Sequence, residues 1–510
     1  MLNDAGRQIP DAVDGLGHLR PYKKEAVKRV VSGNLKNNTR KPEKTTRISG
    51  DMEESITRSG LKNGDRISFH HHLRLGDRVV EQVLLELERM GYRDLILCVS
   101  SVMGPASNAV LRAVRAGILR RIETTGLKSP LSEALLAGEI PEPVVFRSHG
   151  GRARAIDSGE TPVAAAFIAA SEVDREGNLT GSQGPNRFGS MGYAMVDAQH
   201  AAYVIGISDS VSNKCLNHIS IPGNQVDEIV KVESIGDRAG ISGGSIRVSR
   251  RPVEKLIARK ALDVLIASGA VQPGFSYQAG SGGISLLVTS FLKDYMTGTG
   301  ITGSFASGGA TENLVEMCRE GLFDTLWDVQ SFDDSASFSL GENAFHREMS
   351  ASRYASPEYP GCIAEELDIM ILSATEIDRD FNVNSITGTN GRILGALGGA
   401  PDTAAGAGLT MVVMPSFRGR IPTVNTRVRT VCTPGETVDI LVTERGIAVN
   451  PRREDLLRRL SDSKLDLISI EELINRIYAL TGVPDFPEEG SRICAVVEYR
   501  NGTVLDCLRI

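Results

Sequence analysis

The sequence lacks the features that mark several large protein classes. Its seven cysteines, Cys98, Cys215, Cys318, Cys362, Cys432, Cys494 and Cys507, are scattered singly through 510 residues. There is no CxxC pair and no zinc-ligand spacing, so neither a disulfide framework nor a structural metal site is expected, and free thiols in a reducing compartment fit. No run of eighteen apolar residues is uninterrupted; the most apolar region, Ile393 to Phe417, is broken by Pro401, Asp402 and Pro415. A membrane span is therefore not expected. The first residues, MLNDAGRQIPDAVDG, are polar and carry no apolar segment of a secretory signal, so the expected location is the cytoplasm. Positive charge is not in excess: 57 Lys and Arg stand against 63 Asp and Glu, a net charge of −6. Nucleic acid, whose phosphates call for a basic face, is not an expected partner. A Walker loop, a G-x-S-x-G elbow and a helix-turn-helix module are also missing, which weakens kinase, serine hydrolase and DNA-reading classes.

What is present is an ordinary globular composition, 41% hydrophobic and 24% charged, in a chain long enough for two or three domains. One local charge imbalance occurs between Arg20 and Arg47, with ten Lys and Arg against Glu25 and Glu43. It reads as a solvated arm or as a docking strip for an acidic partner. The chain also repeats itself once. Residues 170–179, ASEVDREGNL, match residues 374–383, ATEIDRDFNV, at an offset of 204, with five identities and only Gly177 against Phe381 unlike. The same offset joins Arg115 and Gly117 to Arg319 and Gly321, and Gly184 and Asn186 to Gly388 and Asn390. GSMGYA from Gly189 then aligns with GALGGA from Gly395 at an offset of 206. A period this long means duplicated domains, not a solenoid. The division expected is an N-terminal extension over 1–47, a first domain over 48–240 and a second over 241–510, with the boundary in the Gly- and Ser-rich stretch between Ile235 and Arg251.

Within each copy short apolar strands alternate with helices. Arg66–Phe69 reads as a strand, Asp77–Met90 as an amphipathic helix, Asp94–Ser100 as a buried strand and Asn108–Ile118 as a second helix. In the second copy Ala270–Phe275 reads as a strand and Ile284–Met296 as a helix. Leu367–Ala374 and Leu409–Met414 are continuous apolar runs suited to buried parallel strands. The class is α/β with mainly parallel sheets, and the expected site is a cleft shared by the twin domains, beyond the carboxyl ends of the strands.

Candidate site residues lie in loops after such strands. Gln278-Ala-Gly280-Ser-Gly282-Gly283 opens a helix and offers backbone N–H groups to an anion or a developing oxyanion. Its counterpart in the first copy carries His70, His71 and His72. No carboxylate or cysteine stands at a supporting spacing, so hydrogen bonding to a carboxylate-rich substrate, or a structural role, is expected before a metal. His149, Gly150 and Arg152 follow the strand Val144–Phe146 and form a candidate anion clamp. Asn390 and Arg392, with Gly398 and Gly399, are similar candidates in the second copy.

QAGSGG, ATEIDRDFNVNS, GGAPDTAAGA and VTERGIA occur in the order seen in coenzyme A transferases and acetyl-CoA hydrolases, which the chain resembles. GHLRPY, FHHHLRLGD, SHGGRARAI, GSQGPNRFGSMGYAMVDA and SITGTNGRILGALGGAPDTAAG resemble the citrate lyase α-subunit family in particular, from about Gly17 to the C-terminus. The resemblance implies two tandem domains of the glucosamine-phosphate isomerase/CoA-transferase-like fold. It implies exchange of acetate for citrate on the thiol of an acyl-carrier protein, after which a separate β subunit cleaves the citryl thioester. The thiol belongs to a phosphoribosyl-dephospho-CoA group on the γ subunit, so no cofactor of the chain's own is expected. β and γ partners and a homo-oligomer are. Many CoA transferases form a covalent glutamyl thioester; Gln330 falls where that glutamate would stand. The resemblance therefore implies direct attack by citrate's carboxylate through a mixed anhydride, with Gly280, Gly282, Gly283 and Gln330 in the catalytic region. Glu376 and Glu444 are fallback glutamates. Rival readings are an acetyl-CoA hydrolase or transferase using free CoA, a citramalate-specific homologue, and a sugar-phosphate sensor.

Overall fold

The computed structural model describes residues 1–24, 47–242 and 248–510. Most of the basic stretch between Arg20 and Arg47, and residues 243–247 of the expected domain boundary, lie outside the described residues.

Two sheets organise the molecule, and each is built in the same order. In the first lobe the strands are β1 (Arg66–Phe69), β2 (Leu95–Val99), β3 (Leu119–Thr124), β4 (Val144–Arg147), β5 (Ala165–Ala169), β6 (Tyr203–Ser208) and β7 (Glu228–Lys231). They lie side by side as β4-β3-β2-β1-β5-β6-β7, every pair parallel. In the second lobe the strands are β8 (Ser276–Ala279), β9 (Gly303–Ala310), β10 (Phe323–Ser331), β11 (His346–Glu348), β12 (Ile369–Leu372), β13 (Leu409–Val413) and β14 (Ile440–Thr443). Their order, β11-β10-β9-β8-β12-β13-β14, is the same position for position and again all parallel. Strands such as β2 and β13 are buried at every residue because helices cover both faces of the sheet, hence their unbroken apolar sequences.

Additions occur at the edges. Arg47–Ser49 extends the first sheet beside β7, and β15 (Gly446–Val449) closes the second beside β14. The C-terminal hairpin, β16 (Ile493–Glu498) and β17 (Val504–Arg509), returns to the first lobe, where β16 runs parallel to β4. The strand expected over Ala270–Phe275 lies instead at β8, because Pro273 and Gly274, the latter at φ 85°, make a turn that delays the strand until Ser276. Among the described residues no helix is long and apolar enough to cross a membrane.

The repeated sequence marks a repeated loop. Asp174 accepts from the backbone and side-chain N–H groups of Asn178 at 3.0 and 2.9 Å, as Asp378 does from Asn382 at 2.9 and 3.3 Å. Each asparagine oxygen then accepts from a distant glycine amide, Gly223 at 2.8 Å and Gly435 at 3.0 Å. A Cβ on either glycine would crowd a carbonyl oxygen, at 2.1 Å for Gly223 and 1.8 Å for Gly435. The one unlike pair sits at the left-handed corner of the loop: Gly177 has φ 79° and Phe381 φ 63°. Phe381 accepts a conformation costing roughly 1–2 kcal/mol, offset by complete burial of its ring.

The lobes dock reciprocally. The first lobe's loop from Gly189 meets the ends of β10 and β11, where the Ser190 amide donates to Ser331 Oγ at 3.3 Å and its hydroxyl to the Asp328 carbonyl at 3.0 Å. The equivalent loop from Gly395 meets the first lobe after β3 and β4: the Leu397 amide donates to the Thr125 carbonyl at 2.8 Å, and the His149 amide to the Gly398 carbonyl at 2.9 Å.

Candidate functional site

In each sheet the strand order reverses between two neighbours, β1 and β5 in the first lobe and β8 and β12 in the second, and ligands bind beyond the carboxyl ends at such points. The first reversal point is filled. His70 Nε2 bonds the carbonyl of Ala169, the last residue of β5, at 3.1 Å; His72 Nε2 bonds the Ile235 carbonyl at 3.1 Å, and both rings pack on Phe188. The second is followed by glycines instead of histidines, and there a cleft of about 380 Å³ opens between the lobes. The second lobe lines it with Gln278 to Gly282, Ser373 and Leu394 to Ala400; the first adds His71, Arg74, Thr125, Lys128, His149 and Tyr193. Among these described lining residues there is no Asp or Glu. A hollow of similar size, about 400 Å³, sets the four acids Glu312, Glu316, Asp334 and Glu342 against the one cation Arg319, so its net negative charge would repel an anion.

Main-chain donors dominate one wall. The Gly280 amide is committed to the Ile371 carbonyl at 2.9 Å and is not free for a ligand. The amides of Ser281, Gly282, Gly398 and Gly399 make no hydrogen bond within the described protein. Gly283 begins helix α1 (Gly283–Thr299), whose dipole adds positive potential at the same place. Facing them is Arg74, only 5% exposed and held at φ 54°. Its Nη1 donates to the Phe332 carbonyl at 3.3 Å, and burial lowers its pKa to about 10, so it remains a cation at neutral pH.

Arg74 and Lys128 supply the wall's charge; the histidines do not. His71, Tyr193 and His149 form a compact three-ring cluster, with centroids 5.3 Å apart for His71 and Tyr193, 4.6 Å for Tyr193 and His149, and 6.4 Å for the two histidines. Burial, with Arg152 beside it, pushes His149 from 6.5 to about 3, and burial with His149 nearby lowers His71 as well. Because the folded-state value of His149 lies below its unfolded value, the stability it contributes is present above pH 6.5 and is lost as pH falls. At pH 5 protonation of the unfolded chain at this one residue should cost about 2 kcal/mol. Denaturant titration should show that His149→Gln loses about that much less stability than the wild type between pH 7 and pH 5.

The remaining candidates stand outside the lining. Arg152 is paired within the protein: its Nη2 bonds both carboxylate oxygens of Asp197 at 2.9 Å, and both residues are buried. Gly150 belongs to the lobe junction. Its amide donates to Asp402 Oδ2 at 2.9 Å, while Ser148 Oγ donates to Oδ1 at 2.6 Å, and a Cβ at Gly150 would lie 2.1 Å from the Ala355 carbonyl. Gly150→Ala should therefore destabilise the protein by about 2–3 kcal/mol, readable as a lowered unfolding midpoint. Asn390 and Arg392 form a tight exposed turn, closed by the Gly388 amide on the Arg392 carbonyl at 2.9 Å, next to the lining loop. Gln330, next to last in β10, lies beside lining residues Val329 and Phe332, and its Nε2 crosses the lobes to the His71 carbonyl at 2.9 Å. Of the fallback glutamates, Glu376 accepts from Thr389, from Asn384 at 2.8 Å and from the Arg429 amide at 3.3 Å; Glu444 accepts from the Ser416 amide at 3.0 Å. Neither lines the cleft. Arg74, Lys128, Tyr193 and Tyr354 were not singled out by sequence reasoning. Arg74 lay within FHHHLRLGD, but its left-handed backbone has no sequence signature.

The family model described as citrate lyase, alpha subunit matches residues 45–510. The citrate lyase alpha chain of Klebsiella pneumoniae is 47% identical over 91% of each chain, and that of Haemophilus influenzae 44% over 91% of this chain and 92% of its own. A citrate lyase α subunit from Streptococcus mutans, solved in complex with citrate, superposes with a TM-score of 0.91 at 41% identity, covering 99% of both chains. A Pseudomonas malonate decarboxylase hetero-tetramer, at 16% identity and TM-score 0.63 over 87% of this chain and 85% of its own, shares the fold alone. Twin parallel α/β lobes around an amide-lined cationic cleft define a CoA-transferase-like enzyme. Within that class the chain belongs to the citrate lyase α-subunit family, a transferase component.

Proposed function

We propose that the chain exchanges acetate for citrate on the thiol of an acyl-carrier protein, giving citryl-S-carrier and free acetate. A citrate carboxylate oxygen attacks the acetyl thioester carbonyl, and the tetrahedral oxyanion collapses with departure of the carrier thiolate to give a citryl–acetyl anhydride. The same thiolate then attacks the citryl carbonyl, and acetate departs. No proton or electron is consumed. Gly282, Gly398 and Gly399 offer the amide donors for the two oxyanions, and Arg74 and Lys128 hold the trianion in attack geometry. The carrier's phosphoribosyl-dephospho-CoA arm is substrate here, not a resident group. The γ chain would bring it, and a β chain would cleave the citryl product, in an assembly with more than one copy of this chain.

The observation that carries this reading is a cleft with two cations and unpaired amides but no carboxylate among its described lining. That favours an incoming carboxylate nucleophile over a covalent enzyme thioester. Incubating the isolated chain with acetylated carrier and labelled citrate should yield labelled carrier and acetate in equal amounts, with no hydroxylamine-sensitive acyl group on the chain. An acyl group trapped on the chain would overturn the direct route. Hydrolysis of acetyl-CoA without exchange on the carrier would overturn the function itself.

A further inference from the structure

The geometry points to Gln278 and Tyr354 as the pair that reads the substrate's hydroxyl group, restricting the cleft to hydroxylated polycarboxylates. The inference rests on the cleft being the citrate site and adds what in citrate is recognised besides charge.

Gln278 is the third residue of β8, and both it and Tyr354 line the cleft. Its Nε2 donates to Tyr354 Oη at 2.7 Å, which leaves its own oxygen facing outward from the pair. That Oε1 is buried and has no hydrogen-bond partner among the described residues, although Gln278 as a whole is 5% exposed. The amide packs closely against Gly308, where an added Cβ would lie 2.7 Å from its Cδ and Nε2. Tyr354 accepts one bond and gives its proton to no described acceptor. Burial raises its pKa, so the proton stays on.

The pair therefore presents one fixed acceptor and one fixed donor side by side. A carboxylate has no proton to give and would leave Oε1 unpaired against a negative oxygen. A hydroxyl satisfies both, donating to Gln278 Oε1 while accepting from Tyr354 Oη. The amides, Arg74 and Lys128 suit carboxylates, whereas this buried, unpartnered acceptor on a charge-neutral side chain suits a group with a proton to give, which citrate has and its deoxy analogue lacks. Sites built around a substrate hydroxyl reject the analogue lacking it, because their own polar atoms are left buried and unpaired.

Calorimetric binding of citrate and of propane-1,2,3-tricarboxylate to the full chain tests this without requiring turnover. The wild type should bind citrate about a hundred-fold more tightly than the deoxy compound. In Gln278→Leu and, separately, Tyr354→Phe that ratio should fall to within a few-fold of one, chiefly through weaker citrate binding, with unfolding midpoints confirming that each variant is folded. Equal binding of both compounds by the wild type would overturn the inference while leaving the citrate site in place. So would a ratio that survives both substitutions. If neither compound binds, it is the reading of the cleft as the citrate site that fails.

Discussion

Gly282→Pro should lower acyl exchange by roughly 10²–10³-fold relative to Gly282→Ala. Gly282 has φ −69° and ψ 147°, a backbone conformation that proline adopts without strain, and its amide bonds nothing within the described protein. The substitution therefore removes one N–H and breaks no internal hydrogen bond. Both variants place a Cβ where it meets Ser373 Oγ, 2.4 Å away, so that crowding cancels in the comparison. What differs between them is the donor, together with the ring carbons that take the place of its hydrogen. Steady-state exchange from acetylated carrier to citrate reads the effect, and unfolding midpoints show whether both variants retain the fold. Equal rates for the two would place the oxyanion elsewhere, with the amides of Gly398 and Gly399 the next to test by the same comparison.

Arg74→Asn should leave the protein about as stable as the wild type but reduce kcat/KM for citrate about a hundred-fold, mainly through KM. Arg74 holds φ 54°, which costs a side-chain-bearing residue roughly 1–2 kcal/mol and which asparagine tolerates better. Against that gain stands the loss of its contacts, among them the bond to the Phe332 carbonyl and the stacking 4.7 Å above the Phe332 ring, so the two effects on stability oppose each other. For the ligand nothing offsets. A buried charge-assisted bond to a carboxylate contributes about 2–3 kcal/mol, and the shorter, neutral asparagine side chain would neither reach the cleft nor carry charge. Unchanged citrate kinetics would show that Arg74 only braces the lobes through Phe332. Strain retained at a residue whose removal spares stability and destroys activity is the pattern expected of a functional outlier.

The histidine run shows how far residue chemistry alone can be trusted. FHHHL and QAGSGG occupy corresponding places in the repeat; the glycines read as a ligand-facing loop, the histidines as substrate donors or as structural residues. The folded chain separates them: His70 and His72 spend their ring nitrogens on the carbonyls of Ala169 and Ile235 and plug one strand-order reversal, while the glycines leave the other open. Likewise Arg152 reads as an anion clamp until Asp197 is found beside it on the next helix. QAGSGG and the Gly398–Gly399 turn were legible because the need for unobstructed backbone amides selects glycine itself, which the sequence displays.

Local physics was written in the chain and could be read from it. The alternation of buried apolar strands with helices depends on groups a few residues apart, so pattern and spacing determine it, and the duplication is displayed by the matching segments themselves. Which polar residues face the cleft was decided only in three dimensions. Gln330 meets the His71 carbonyl across 259 residues, and Ser148 meets Asp402 across 254. Such pairings follow from how two finished lobes dock, and no short-range periodicity records the partner that each side chain finds there.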